Sequence, residues 1–367
     1  MTILLRHLTA HLETLAPLAY QEEYDNSGLI VGNPDQAVTG VLVSLDTTEA
    51  VVDEAIARNC NVIVSHHPIV FRGLKRFTGR TYVERTVIKA IKHDIAIYAA
   101  HTNLDHVTGG VNTKIAEKLG LQHSQILAPK TQTLTKLAFF VPIADTDRVL
   151  NALFIAGAGR IGNYEHVSFR AEGVGAFTPT AGANPAIGQV DRAETVTEHR
   201  AEVILPSHLE SRIVAALKQA HPYEEVAYDL YSLKNANAAV GAGMIGTLPK
   251  PLAETDWLAY LKQNMALTVI RHTPLRGRAV QRVAVCGGAG GFLLNDAIRA
   301  GADAFVTADY KYHEFFDADG RIVICDIGHY ESEAFTKDLL HDLLVAHFPA
   351  LPVLLCETDT NPVAYFL

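Results

Sequence analysis

The apolar residues of this chain fall in short dense blocks, separated by stretches with a helical repeat. Residues 2–16 read as an amphipathic helix, and residues 38–45 (VTGVLVSL) as a strand. A helix is predicted over 48–58, with Val51, Val52, Ala55 and Ile56 on one stripe. Residues 61–65 (NVIVS) form a buried-strand pattern that runs into His66, His67 and Pro68. A helix over 81–93 and a strand over 95–100 (IAIYAA), ending at His101, follow. Strands and helices alternating at this length predict an α/β domain, with a mostly parallel sheet and helices on both faces.

Near residue 130 the pattern changes. Strand 137–141, helix 145–156 and strand 166–171 are followed by a loop rich in Gly, Ala and Pro over 173–190. Strand 201–205, helix 209–219 and strand 226–233 come next. Two βαβ units in tandem predict a ferredoxin-like α+β domain. The earlier pattern then resumes, with strands at 280–286, 304–308, 322–326 and 353–356 and helices at 292–300 and 333–346. The expected organisation is one α/β domain, residues 1–130 plus 236–367, interrupted by an inserted domain over 131–235.

Composition narrows the field. Of 367 residues, 49% are apolar and 19% charged, enough for a sizeable core and too apolar for disorder. The net charge of −9, with no long basic run, argues against nucleic acid or an anionic membrane as partner. Cys60, Cys286, Cys325 and Cys356 are scattered without a CxxC pair and read as reduced core thiols. Arg6, His7, His11 and Glu13 stand where the apolar stretch of a secretion signal would lie, and no segment reaches the roughly 18 uncharged residues of a membrane span. A cytoplasmic protein is expected.

The 17 histidines matter through position rather than number. Open α/β sheets place ligands beyond the carboxyl ends of their strands. Three predicted strands end in metal-capable residues: His66 and His67; His101 followed by Asp105; and His329 followed by Glu333. A helical turn after Tyr330 puts His329 and Glu333 on one face. Adjacent His66 and His67 point apart and suit two different ions of a pair, a common hydrolytic arrangement. Each motif alone is commonly a hydrogen-bonded or solvated group; their convergence at strand ends is what predicts a metal site. Histidine and carboxylate without thiolate fit zinc, manganese or ferrous iron.

Other segments are weaker. The glycine run 286–291 (CGGAGG) suits a tight turn better than a phosphate loop, since no Lys-Ser/Thr follows. Asp25-Asn26-Ser27-Gly28 is a turn signal. Asp309 and His313 follow a strand end, where capping and solvation is the favoured reading. Residues 221–225 (HPYEE) read as a structured turn. No GxSxG is present, and no cysteine has a neighbouring base.

The segments YDNSGLIVG (24–32), SHHPIVF (65–71), HTNLDHVTGGVN (101–112) and GHYESE (328–333) resemble the Ngg-interacting-factor-three-like family, many of whose bacterial members are labelled GTP cyclohydrolase I type 2. The segment HPYEEVAYDLY (221–231) resembles the longer bacterial form, whose insert is similar to the CutA and nitrogen-regulator fold. Tyr24, where many relatives have Trp, and Ala308, where Gly is usual, are small departures outside the ligand motifs. The resemblance implies two divalent metal ions per subunit, zinc first and manganese or iron next. His66, His67, Asp105, His329 and Glu333 would be the ligands, with Asp105 and Glu333 bridging. His101 would stand beside the centre and, with Glu333, carry protons. A toroidal homohexamer enclosing the sites is also implied.

Two functions then compete. One is a dinuclear metal-dependent hydrolase acting on a nucleotide or phosphoester; under the cyclohydrolase label, hydroxide opens the guanine imidazole ring and releases formate. The other is a non-catalytic metal-binding protein that senses a ligand. A triphosphate clamp is not evident; Lys75, Arg76 and Arg80 are candidates by position alone.

Overall fold

The structure, a computed structural model, describes residues 2–366. The chain divides into two compact units, one built from residues 2–128 and 240–366 and the other from residues 129–239.

The first unit holds two sheets. In one, strands Gly28–Val31, Ala96–Ala99, Val62–Ser65, Val41–Ser44 and Val353–Leu355 lie side by side in that order. In the other, the order is Arg271–His272, Val323–Asp326, Ala304–Thr307, Val280–Val285, Gly241–Leu252 and Gln122–Pro129. Helical crossovers make the central strands parallel, because a parallel pair needs a long return connection. Helices Glu49–Ala57 and Tyr82–Lys92 supply two of these crossovers. Thr48 and Thr81 start both helices, each accepting a backbone N–H three residues on at 3.3 and 3.2 Å.

The expected mostly parallel sheet is corrected by this topology: both sheets are mixed. Gly28–Val31 joins its edge antiparallel, and Arg271–His272 and Gly241–Leu252 pair antiparallel in the second sheet. The late strands are also not a simple continuation of the early ones. Val353–Leu355 pairs with Val41–Ser44, whereas the strands from 280 to 326 build the separate second sheet.

Strand periodicity sorts the core into layers. Val41, Val64 and Tyr98 of the first sheet share one cluster with Val283, Val306 and Cys325 of the second. Helices Leu5–Leu15, Val111–Lys118, Glu254–Asn264 and Thr336–His347 contribute Leu8, Ile115, Trp257 and Leu344 to it. Leu42, Ile63 and Ile97 face the other way, onto Val52 and Val87 of the two crossover helices. Side chains on these strands are therefore buried on both faces, and polar groups are left to the strand ends.

Residues 129–239 form one four-stranded sheet in the order Ser168–Phe177, Glu194–Pro206, Leu134–Pro142 and Tyr228–Leu233, antiparallel throughout. Helices Thr146–Ala156 and Glu210–Ala220 cover one face through Val149, Leu153, Ile213 and Leu217. The second strand outruns its expected end at residue 171, taking residues 173–177 from the predicted loop. Pairing with residues 194–198 carries it on, with Gly175 opposite Val196.

Among the described residues, no helix is long and apolar enough to cross a membrane.

Candidate metal centre

The histidines sit where the register of the first sheet leaves them. Val62–Ser65 pairs in parallel with Ala96–Ala99, Ser65 opposite Ala99, so His67 and His101 emerge level with each other. The single helical turn Thr102–Asp105 then brings Asp105 back under His101, its N–H donating to the His101 carbonyl at 3.1 Å. From the second sheet, Val323–Asp326 leads through Gly328 into the short helix His329–Glu333. The helix predicted over 333–346 thus begins earlier and in two pieces, His329–Glu333 and Thr336–His347.

These pieces converge. Glu333 Oε2 lies 2.9 Å from His67 Nε2, 3.2 Å from His329 Nε2 and 3.7 Å from His66 Nε2. His66 Nε2 is also 3.7 Å from Asp105 Oδ1, and the Nε2 atoms of His67 and His329 are 3.3 Å apart. Three overlapping groups could each hold a metal ion: His66, His67 and His101; His67, His329 and Glu333; and His66, Asp105 and Glu333. All five expected ligands are therefore together. His101 belongs to one of the three groups.

Every ring is held from behind. His66 Nδ1 meets the Ala100 carbonyl, and His67, His101 and His329 meet Asp46, Asp25 and Asp309, each contact at 2.7 Å. The Ala100 carbonyl can only accept, so His66 Nδ1 carries a proton and Nε2 is the atom turned to the centre. Carboxylates behind metal-binding imidazoles fix the ring and its tautomer in the same way.

Asp46, Asp25 and Asp309 are the residues that sequence reasoning missed or undervalued. Asp46 had a signal: it follows Val41–Ser44, and because Ser44 pairs with Ser65 it is level with His67. Thr360 Oγ1 in turn donates to Asp46 at 2.6 Å. Asp25 accepts from Thr102 and Ser27 as well as His101, which outweighs its burial and holds it well below the usual carboxylate range.

The glycine run closes the side of the centre. Gly288 has φ +60°, and a Cβ there would sit 2.5 Å from Glu333 Oε1 and 3.2 Å from His329 Cε1. Only glycine lets the loop approach so closely. Its N–H donates to Ser332 Oγ at 2.9 Å, tying loop and helix together. Of the other candidates, Asp309 faces the cavity, whereas His313, Lys75, Arg76 and Arg80 do not line it. His221 lies in the other unit, donating to the Phe140 carbonyl at 2.9 Å.

The electrostatics are those of a site crowded with charge. Burial, and then the Glu333 carboxylate, push Asp105 up to about 8. Its Oδ1 is sealed from solvent although the side chain as a whole keeps 19% exposure. Burial resists ionisation of Glu333 too, but three surrounding imidazoles hold it well below its ordinary value. Burial disfavours the imidazolium of His67, yet Asp46 and Glu333 outweigh it and push the pKa up to about 10. In His329 the same contest, with Glu333 and Asp309 as partners, ends at about 9.

Two buried atoms at the centre have no hydrogen-bond partner: His66 Nε2 and Asp105 Oδ1. They lie 3.7 Å apart, and two polar atoms buried without a partner cost stability unless something satisfies them. A divalent cation satisfies both, so the residues fit a metal.

The model of the Duf34/NIF3 (NGG1p interacting factor 3) family matches residues 3–362. A protein of Halalkalibacterium halodurans named GTP cyclohydrolase 1 type 2 homolog is 42% identical over 359 residues, 96% of each chain. A Bacillus subtilis protein of the same name is 39% identical, again over 96% of both chains. The crystal structure of a Bacillus cereus protein related to NIF3 is 37% identical and superposes over the full length of both chains with a TM-score of 0.87.

Proposed function

This chain belongs to the Duf34/NIF3 family, and on that premise we propose that it is a metal-dependent hydrolase with a dinuclear centre, zinc first, acting on a nucleotide or phosphoester. The observation that carries the proposal is the unpaired couple His66 Nε2 and Asp105 Oδ1, set against Glu333. His66, His67, Asp105, His329 and Glu333 would hold the ions. Bound divalent ions supply Lewis acidity and bring the pKa of coordinated water toward neutrality.

The chain's own residues do the rest. Asp46 and Asp309 keep His67 and His329 turned inward. Asp25, an ionised carboxylate, holds the His101 ring by Nδ1 at the edge of the cavity, where His101 would carry protons. The cavity of about 910 Å³ over the centre is large enough for a small substrate.

The reading extends to the rest of the molecule. The strand order and the two βαβ connections support a ferredoxin-like insert over 131–235. The homohexamer belongs to the proposal as well, and light scattering of the purified chain tests it.

The experiment is a turnover screen of nucleotides and phosphoesters with the metal found in the purified protein. We expect many product molecules per site in the wild type and none in Asp105→Ala, with assembly unchanged. A fully metal-loaded chain that turns over no such compound would leave a metal-dependent binding protein in its place.

A further inference from the structure

The cavity has a charge pattern that the metal centre alone does not explain. Among the described residues lining it, Arg271 is the one Lys or Arg side chain. Its guanidinium is already engaged, donating to Asp326 Oδ2 at 3.0 Å and to the Tyr310 carbonyl at 2.9 Å. Lys311 borders an adjoining hollow, where it lies 3.8 Å from Glu314. Beyond the carboxylates already described at the centre, the lining adds Glu22, Asp326 and Glu331. A pair of divalent cations together with Arg271 leaves this set in negative excess, and a polyphosphate tail entering it would meet repulsion rather than a clamp.

The wall beside the histidines is aromatic instead. Tyr24 and Phe71 have ring centroids 6.1 Å apart, and Phe71 stands 5.9 Å from the His101 ring. Both are open to the cavity, with 64% and 45% of their surfaces exposed. Phe292, Tyr330 and Tyr365 complete the lining. Exposed rings of this kind offer stacking faces to a planar heterocycle, within one ring's reach of the metal-binding imidazoles.

We propose that the cavity takes a planar heterocycle of nucleobase or nucleoside size bearing at most one phosphate, stacked on Phe71 and Tyr24, and that it excludes nucleoside triphosphates. The proposal rests on the metal-dependent reading of the site and specifies the class of substrate that site receives.

The test is calorimetric titration of the zinc-loaded full-length chain with guanosine, its monophosphate and its triphosphate, at fixed ionic strength. Guanosine or the monophosphate is expected to bind tightest, with the triphosphate weaker by roughly tenfold or more. Phe71→Ala and Tyr24→Ala should each weaken guanosine by about tenfold, and Phe71→Trp should retain it. Tighter binding of the triphosphate, absence of guanosine binding, or guanosine affinity unmoved by both alanine substitutions overturns the proposal. Binding without turnover would sink the hydrolase reading and leave this one standing. Preferred turnover of the triphosphate would do the reverse.

Discussion

The two units of this chain bury their strands differently. In the first, strands Val41–Ser44, Val62–Ser65, Ala96–Ala99, Ala304–Thr307 and Val323–Asp326 are buried at every position. In the second, Leu134–Pro142 and Glu194–Pro206 alternate, and Ser168–Phe177 and Tyr228–Leu233 are largely open to solvent. A strand covered on both faces has room for ionisable side chains only at its ends. Several such ends, brought level by parallel register, concentrate imidazoles and carboxylates in one place. A one-sided sheet spreads its polar groups over an open face. Accordingly, every group of metal-capable side chains among the described residues lies in the first unit.

The largest expected effect breaks the concentrated site outright. Asp105→Ala and Glu333→Ala should each reduce the metal retained after dialysis to background, because each removes a proposed ligand from a buried cluster. Glu198→Ala removes a buried carboxylate of the second unit, hydrogen-bonded by Tyr223 at 2.9 Å, and should leave metal content unchanged by elemental analysis. Equal metal loss in all three would erase the contrast between the units.

Next comes packing. Leu42 is fully buried against the crossover helices, and Leu42→Ala should cost about 2–5 kcal/mol in denaturant unfolding. Val174, on the open face of the second unit, is 73% exposed, and Val174→Ala should fall within about 0.5 kcal/mol of wild type. Similar costs at both positions would contradict the two-sided and one-sided description of the sheets.

A smaller effect separates ligands from the groups behind them. Asp46→Ala and Asp309→Ala leave the proposed ligand set intact but free the rings of His67 and His329. Metal affinity, read by competition with a chelator, should fall about 10–100-fold in each. No change would mean that the carboxylates do not orient the rings.

The smallest effect is a pH dependence in the first unit. Burial opposes ionisation of Glu54, but hydrogen bonds from Thr358, the Glu357 backbone, Cys356 and Arg58 outweigh it and hold its pKa at about 2. Because the folded value lies below the ordinary 4.5, the stabilisation is complete above that pH and is lost as pH falls toward 2. Glu54→Gln should therefore be less stable near neutrality and show a flatter acid limb in denaturation midpoints. An unchanged slope would remove Glu54 from the acid response.

Much of this was legible in the sequence, for definable reasons. Short Val/Ile blocks announce strands buried on both faces, and the residue after each block marks where a side chain can reach a cleft. Once an open α/β sheet is expected, that logic singles out His66, His67, His101, Asp105, His329 and Glu333 as candidates. What it misses depends on long-range pairing. Asp46 becomes a partner of His67 only because two strands lie in register, 21 residues apart in sequence. Asp25 reaches His101 across 76 residues. The segment Gly241–Leu252, rich in glycine and proline, carries no strand signal of its own and is held in the second sheet by its pairing with Val280–Val285. The second sheet was hidden for the same reason: nothing local says which sheet a buried strand joins.

The most direct measurement is elemental analysis of the full-length chain purified without chelator, with Asp105→Ala prepared in parallel. We predict a pair of divalent ions per chain, zinc first, in the wild type, and their loss in a variant that stays folded by circular dichroism. A wild-type chain that holds no stoichiometric metal, and takes up none when zinc, manganese or ferrous iron is supplied, would contradict a metal centre at His66, Asp105 and Glu333.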